Sequence, residues 1–238
     1  MSKRSLLLTI FSIMLMLPAC IKDELTLPAK VFFEFELIPS FDTPPGGMII
    51  NKGSIIIESI EFDGRRDQGK DVYFTSDLSG PVFIDLENGQ SDRELSFDIP
   101  QGVYNRVKII LNLAEKMEGS KGIPFVLEGK ISEGPMNNMN KIPLRFEYNF
   151  HERIEIEARS GNNANKIVLR KDTPATARIV VDAGLLFQFV NLPTLNNFTI
   201  SQFNNQETII ISPESNSEIF NRIGQNRGLE RSFRVIVD

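Results

Sequence analysis

The feature that most constrains this chain is an alternation of apolar and polar side chains that recurs along much of its length. It is clearest from Ile142 to Phe150, where large apolar residues alternate with Pro, Arg, Glu and Asn. Phe33 to Leu37, Leu95 to Ile99 and Val107 to Leu113 show the same period. A period of two is that of a strand with one buried and one solvated face. The pattern therefore predicts an all-β, mainly antiparallel fold.

The composition agrees with a single β-rich domain. Hydrophobic residues make up 41% of the chain, Phe occurs 18 times, and Gly and Pro contribute 16 and 13 residues. This content is enough for a sizeable core and many turns. Residues 30–190 are predicted to form a β-sandwich, with a bulge at Ser59 where the apolar spacing changes. A hairpin is expected between Ile142–Phe150 and the strand at Ile154, with its turn at His151.

The C-terminal quarter has a different pattern. Ser215 and Glu218 have the spacing of a capping box, which predicts one short helix ending near Ile223. A terminal strand is expected over Leu229–Val237. A segment of this length rarely buries enough surface to fold alone. Residues 191–238 are therefore interpreted as a β/α extension packed on the sandwich.

The N-terminal residues have the layout of a secretory signal peptide. Lys3 and Arg4 precede a mostly apolar run over residues 5–17, which is too short to span a bilayer comfortably. The next motif, Leu17–Cys20, resembles the lipobox of bacterial lipoproteins. This resemblance implies cleavage before Cys20 and acylation of its sulfur. The alternative is a buried structural Cys in an uncleaved anchor helix.

The residues after the acylated Cys form a charged tether, interpreted as residues 20–29. Lys22, Asp23 and Glu24 follow Cys20. A Lys with two acidic residues at this place resembles the surface-export signal of Bacteroidota lipoproteins. The resemblance implies display on the outer face of the outer membrane. The alternative is a solvated polar tether on the periplasmic face.

The stretch Ile55–Leu113 carries a further resemblance. An Ile-Asp-Leu element at Ile84–Leu86, a strand that closes at Pro100–Gly102 and Tyr104 at the start of the next strand are its main features. Together they resemble a family of uncharacterised Bacteroidota lipoproteins. The resemblance implies a prealbumin- or immunoglobulin-like sandwich, and it implies no activity.

Candidate catalytic residues are few. His151 is the only His of the chain, so neither a multi-His metal site nor a His relay can form. It adjoins Glu152 at a predicted turn, and we expect it to be exposed or structural. No nucleophile elbow, phosphate loop or His-Glu-x-x-His motif occurs, and acylation of Cys20 would leave no free thiol. Paired carboxylates are not excluded, but no pair is singled out, and we predict a protein that is not an enzyme.

Two groups of residues were considered as metal ligands. Asp63, Asp67 and Asp71 lie four apart in a loop with two glycines, and oxygen-rich loops of this kind sometimes bind calcium. The spacing is not that of an EF-hand, and three neighbouring cations would repel a metal ion. Met136 and Met139 lie in an Asn-rich turn, where a soft-metal site is the less favoured interpretation. No metal and no cofactor are predicted.

Net charge limits the partners. The chain carries a net charge of -5, and removal of residues 1–19 would delete two cations and no acids, leaving -7. Proteins that neutralise phosphates are normally basic, so nucleic acid is not an expected partner. Glycan capture needs an exposed aromatic platform, and it is disfavoured by the absence of Trp and by the predicted core positions of most Phe.

The sequence leaves two functions open. The first is a non-catalytic, lipid-anchored protein that presents its sandwich to an unidentified protein or glycan partner at the cell surface. The second is a structural adhesin or fimbrillin-like subunit that assembles by strand exchange. In that case the terminal strand Leu229–Val237 would complete a neighbour's sheet.

Overall fold

The chain is built mainly from β-strands. A computed structural model describes residues 26–40, 48–115, 122–133, 140–162, 164–190 and 198–238. In these ranges, 63% of the residues lie in strands and 10% in three short helices, which confirms the all-β prediction. The signal peptide, Cys20, the export residues Lys22, Asp23 and Glu24, and the pair Met136 and Met139 lie outside the described residues.

The described ranges contain fourteen strands and three helices in chain order. The strands are β1 Pro28–Ile38, β2 Met48–Arg66, β3 Val72–Asp85, β4 Gln90–Ser91, β5 Ser96–Pro100, β6 Gly102–Leu113, β7 Phe125–Glu133, β8 Asn140–Tyr148, β9 Arg153–Ser160, β10 Ile167–Leu169, β11 Ala175–Asp182, β12 Ile200–Phe203, β13 Gln206–Ile211 and β14 Phe233–Val237. The helices are α1 Ala183–Leu186, α2 Ser217–Gln225 and α3 Gly228–Ser232.

The strands form one large mixed sheet. Its order is β12-β13-β8-β7-β2-β6-β9-β14-β11-β1-β5, while β3 pairs with β2, β4 with β3 and β10 with β6. Most pairs are antiparallel. The pairs β1 with β11, β13 with β8 and β14 with β9 are parallel. These parallel pairs join strands that are distant in sequence, because parallel neighbours need long connections.

Alternation places one face of each strand in the core. On β1, Phe33 and Phe35 are buried between exposed or half-buried neighbours. The ring of Phe125 on β7 lies 5.8 Å from the ring of Phe233 on β14. Because β7 and β14 are not neighbours in the sheet, these two parts of it face each other across the core. Full burial of a side chain of this size stabilises the fold by about 1.5–3 kcal/mol.

The predicted bulge is confirmed, but the predicted hairpin is wrong. The pairing of β2 with β3 shifts register between Ile57 and Ser59. β8 pairs with β7 and β13, whereas β9 pairs with β6 and β14. On β9, Ile154 lies opposite Leu111 and Ile156 opposite Ile109 of β6. The short connection after Tyr148 therefore carries the chain to another part of the sheet instead of folding it back on β8.

The predicted C-terminal helix is present as α2, but the capping box is not. Asn216 is the N-cap, with a left-handed φ of 52° and no side-chain capping hydrogen bond. Its side chain instead donates to the carbonyl oxygens of Thr199 and Ile210, at 3.0 and 2.7 Å. α1 and α3 were not predicted. No helix within the described ranges has the length and hydropathy needed to cross a bilayer.

The C-terminal residues contribute to the same sheet as the rest of the chain. β12 and β13 extend one end of it, and β14 lies between β9 and β11. The terminal strand is therefore paired on both sides within its own chain, antiparallel to β11 and parallel to β9. The domain boundary at residue 190 stays a prediction.

Candidate binding site

The residues considered from the sequence do not converge on a site. His151 is exposed, and its Nδ1 lies 3.9 Å from Oε2 of Glu58. The three Asp residues have separate partners. Asp63 pairs with the guanidinium of Arg106 at 3.3 Å, and Asp67 pairs with the ammonium of Lys166. Asp71 accepts a hydrogen bond from the backbone N–H of Arg66 at 3.3 Å. Among the described residues, no group of three or more His, Cys, Asp or Glu side chains is arranged to hold a metal ion.

A cleft of about 590 Å³ lies on the face of the sheet turned away from the main core. Ile56 and Val126 line it and are almost fully buried, although neither belongs to the core cluster that contains their neighbours on the strand. Ile56 stands opposite Phe83 in the pairing of β2 with β3. Alternation on β2 explains this placement, since Ile55 and Ile57 face the core and Ile56 faces the cleft.

Two phenylalanines contribute aromatic surface to the cleft. Phe83 on β3 is 41% exposed, so its ring is accessible from the cleft. It follows Ser79 and Gly80, whose positive φ angles of 54° and 116° interrupt β3. Phe203, which is half-buried, ends β12 just before the turn at Asn204 and Asn205. A two-residue Asn turn with left-handed angles is typical of a tight hairpin, and Phe203 is the last residue before it, paired with Gln206.

Arg145 holds one side of the cleft in place. Its side chain is only 9% exposed, and its Nε donates to Oε1 of Glu147 at 2.5 Å. Its Nη1 donates to Glu128, which stands opposite it in the pairing of β7 with β8. The guanidinium carbon lies 4.6 Å from the centre of the Phe203 ring. Attraction between a cation and a ring face therefore fixes Phe203 against the hydrogen-bonded pair of strands.

Polar groups surround the apolar surface. Asp92 and Glu128 bring carboxylates, Ser54 a hydroxyl and Asn204 an amide to the lining of the cleft. Asp92 pairs with the guanidinium of Arg93 at 3.4 Å. Among the described residues of the lining, Asp92 and Glu128 are acids and Arg145 is a buried cation. Its charge therefore favours a neutral or cationic ligand over an anionic one.

A second polar cluster is satisfied by the protein itself. Glu61 on β2 is buried, and its carboxylate accepts hydrogen bonds from Tyr73 at 2.8 Å, Asn112 at 2.8 Å and Arg153 at 3.1 Å. Burial alone would raise the pKa of Glu61, but the hydrogen bonds from Arg153, Asn112 and Tyr73 outweigh it and lower the pKa. Both carboxylate oxygens are engaged, so the cluster ties β2, β3, β6 and β9 together.

Neither phenylalanine of the cleft is marked by the sequence as a site residue. The alternating pattern suggested core positions for most Phe, and the main core cluster contains neither Phe83 nor Phe203. The sequence around Phe203 is rich in Asn and Gln. Few apolar neighbours are therefore present to bury its ring, and this pattern could have indicated that Phe203 lies outside the core. Nothing in the local sequence separates Phe83 from a core residue.

No protein-family model, no curated protein and no solved structure matches this chain.

Proposed function

We propose that this protein is a non-catalytic, lipid-anchored protein of the outer membrane that binds a ligand at the cell surface. The anchor is the acylated Cys20, and Lys22, Asp23 and Glu24 direct display. The observation that supports a binding function is the cleft with Phe83 and Phe203 in its lining. A concave site that joins aromatic surface to a few polar groups is the usual form of a small-molecule binding site.

The cleft suits a compact ligand that has an apolar face and hydrogen-bonding edges. Its volume of about 590 Å³ lies in the range of small-molecule sites. A neutral sugar ring meets the requirement, since its C–H face packs on an aromatic ring and its hydroxyls bond to carboxylate and amide groups. Asp92, Glu128 and Asn204 offer such groups around the two rings. We therefore propose a neutral glycan as the ligand class.

The proposed framework is a prealbumin-like β-sandwich. The contact of Phe125 with Phe233 across the core supports it, since two parts of the sheet pack face to face there. The mixed pairing of strands is compatible with such a framework, provided that β9 and β14 join its two halves. In this proposal the cleft is formed on the outer face of one half.

Strand exchange is the less favoured function. The terminal strand expected to complete a neighbour's sheet is β14, and it already pairs with β9 and β11. Its release would break two ladders. In the order of the described strands, β5 and β12 end the sheet and are the better candidates for pairing with another chain.

The anchor is tested by metabolic labelling of the full chain with radioactive fatty acid in the native host. Label should enter the parent and not a Cys20→Ser variant, which should also lose membrane association. Label that persists in the variant would refute the anchor.

Binding is tested separately by applying the purified full chain to immobilised neutral oligosaccharides. Failure to bind any of them would refute the glycan class while leaving the anchor intact.

A further inference from the structure

Leu27, the residue that precedes β1, is joined through Gln101 to two segments rich in cations. The backbone N–H of Gln101 donates to the carbonyl oxygen of Leu27 at 2.8 Å. The carbonyl oxygen of Gln101 accepts from Nη1 of Arg66 at 3.4 Å, and its side-chain oxygen accepts from the backbone N–H of Lys171 at 3.3 Å. Gln101 therefore joins the entry point of the chain to Arg66 at the end of β2 and to the loop after β10.

Two segments at this end of the fold carry a local excess of positive charge. Segments 65–71 and 166–172, which we call the basic end, contain six cations and three acids in a chain whose net charge is -5. The segments are held together by the ion pair of Lys166 with Asp67. The cations are Arg65, Arg66, Lys70, Lys166, Arg170 and Lys171, and all except the half-buried Arg66 are exposed.

We propose that the basic end rests on the phosphate headgroups of the membrane that holds the Cys20 lipid. This inference depends on the lipid anchor of the proposed function. Eight peptide steps separate Cys20 from Pro28, and they span at most about 29 Å. The chain enters the fold at the basic end, so the anchor keeps this surface near the headgroups. Lys and Arg near an anionic bilayer are attracted to it within a Debye length of about 8–10 Å.

This orientation holds the cleft away from the membrane. β2 runs from Ile56 in the cleft to Arg66 at the basic end. Ten residues of strand separate these two positions and span at most about 33 Å at 3.3 Å per residue, since this part of β2 contains two register shifts. The cleft then faces the medium, where a soluble or polymeric ligand is found. Attraction between the positive basic end and the negative headgroups keeps the domain from rotating freely on its tether.

The test uses the full-length lipoprotein reconstituted into vesicles of phosphatidylcholine, with or without phosphatidylglycerol and with spin-labelled headgroups as quenchers. A fluorophore is attached to a new thiol at Gln68→Cys in the basic end or, as the matched control, at Gln202→Cys beside the cleft. Both positions are exposed. We expect strong quenching at position 68 in the anionic vesicles, weaker quenching without phosphatidylglycerol or at high salt, and none at position 202. Equal quenching at both positions would overturn the proposal.

Matched charge variants separate this attraction from anchoring. Lys70→Gln with Lys171→Gln removes two cations of the basic end, and Lys130→Gln with Lys141→Gln removes two exposed cations elsewhere. The first pair should lower the ratio of docked to undocked molecules by about tenfold or more, and the second should leave it unchanged. Equal effects of the two pairs would refute docking. A parent protein that does not stay on vesicles of either composition would instead refute the anchor, and with it the proposed function.

Discussion

The guanidinium of Arg145 lies over the ring of Phe203, with 4.6 Å between its central carbon and the ring centre. The same side chain is hydrogen-bonded to Glu128 and Glu147. One buried arginine thus links the pairing of β7 with β8 to an aromatic ring of the cleft. Stability and ligand binding should both depend on it.

Arg145→Ala should lower the free energy of unfolding by about 2–3 kcal/mol, since it leaves the largely buried Glu147 carboxylate without its partner. Glu128 is more exposed and should contribute less to the loss. Urea denaturation measures the change. Arg159→Ala removes an exposed arginine on β9 and should stay within about 0.5 kcal/mol of the parent. An equal loss of unfolding free energy in the two variants would show that the buried pair of Arg145 and Glu147 does not stabilise the fold.

Phe83→Ala should weaken binding of a neutral oligosaccharide that the parent binds by about tenfold or more, because it removes an aromatic ring from the cleft. Its stability should change by less than about 1 kcal/mol, since the side chain is 41% exposed. Phe150→Ala is the control, because Phe150 is 49% exposed and lies outside the cleft. Titration calorimetry measures the affinity of the parent and of the two variants for the oligosaccharide. Undiminished affinity in the Phe83 variant would exclude the cleft as the site.

Gly129→Ala should destabilise the protein by more than about 3 kcal/mol. A Cβ at this position would lie 1.8 Å from the carbonyl oxygen of Ile49, so the backbone of β2 would have to move. Gly224→Ala is the opposite case, because the residue is helical and the added Cβ would have no described atom within 4 Å apart from its chain neighbours and the backbone of its own helix. This change should stabilise the protein by about 0.5–1 kcal/mol. Thermal and urea unfolding should therefore shift in opposite directions for the two variants.

Glu61→Gln should lower the free energy of unfolding at neutral pH by about 1–2 kcal/mol. The difference between the parent and the variant should depend on pH. The pKa of Glu61 is lowered from its ordinary value of 4.5 in the folded protein. Its ionised form therefore stabilises the fold above that value, and the contribution is lost as the pH falls through the lowered pKa. The stability curves of parent and variant should converge in acid. Glu157→Gln, at an exposed position of β9, should follow the parent at every pH. A gap that stays constant on acidification would contradict this role of Glu61.

Replacement of Lys22, Asp23 and Glu24 by Ala should reduce display at the cell surface without affecting stability. The three residues precede β1 and offer no apolar face to bury. Protease added to intact cells should cleave the parent and spare the triple variant, while the melting temperatures of the two stay equal. Equal cleavage of both proteins would refute the export signal, and a large drop in melting temperature would show that the tether belongs to the fold.

The alternation in the sequence was sufficient to predict the fold class and the buried face of many strands. Phe33, Phe146 and Leu111 are all buried, as their positions in alternating runs indicate. The bulge at Ser59 was also predictable, since one extra residue moves every later side chain to the other face. The lipid anchor and the export signal stay predictions based on the order of residues in the first 24 positions.

The sequence by itself determined which side of a strand is apolar, because a two-residue period is a local property of the chain. Only the tertiary structure decided which strands pair, and β8 and β9 lie apart although they are consecutive. It also decided the site, since Phe83 and Phe203 are separated by most of the domain in sequence and line the same cleft. The physical reason is that the partner of a strand depends on how all the apolar faces are buried together, and no local pattern records that choice.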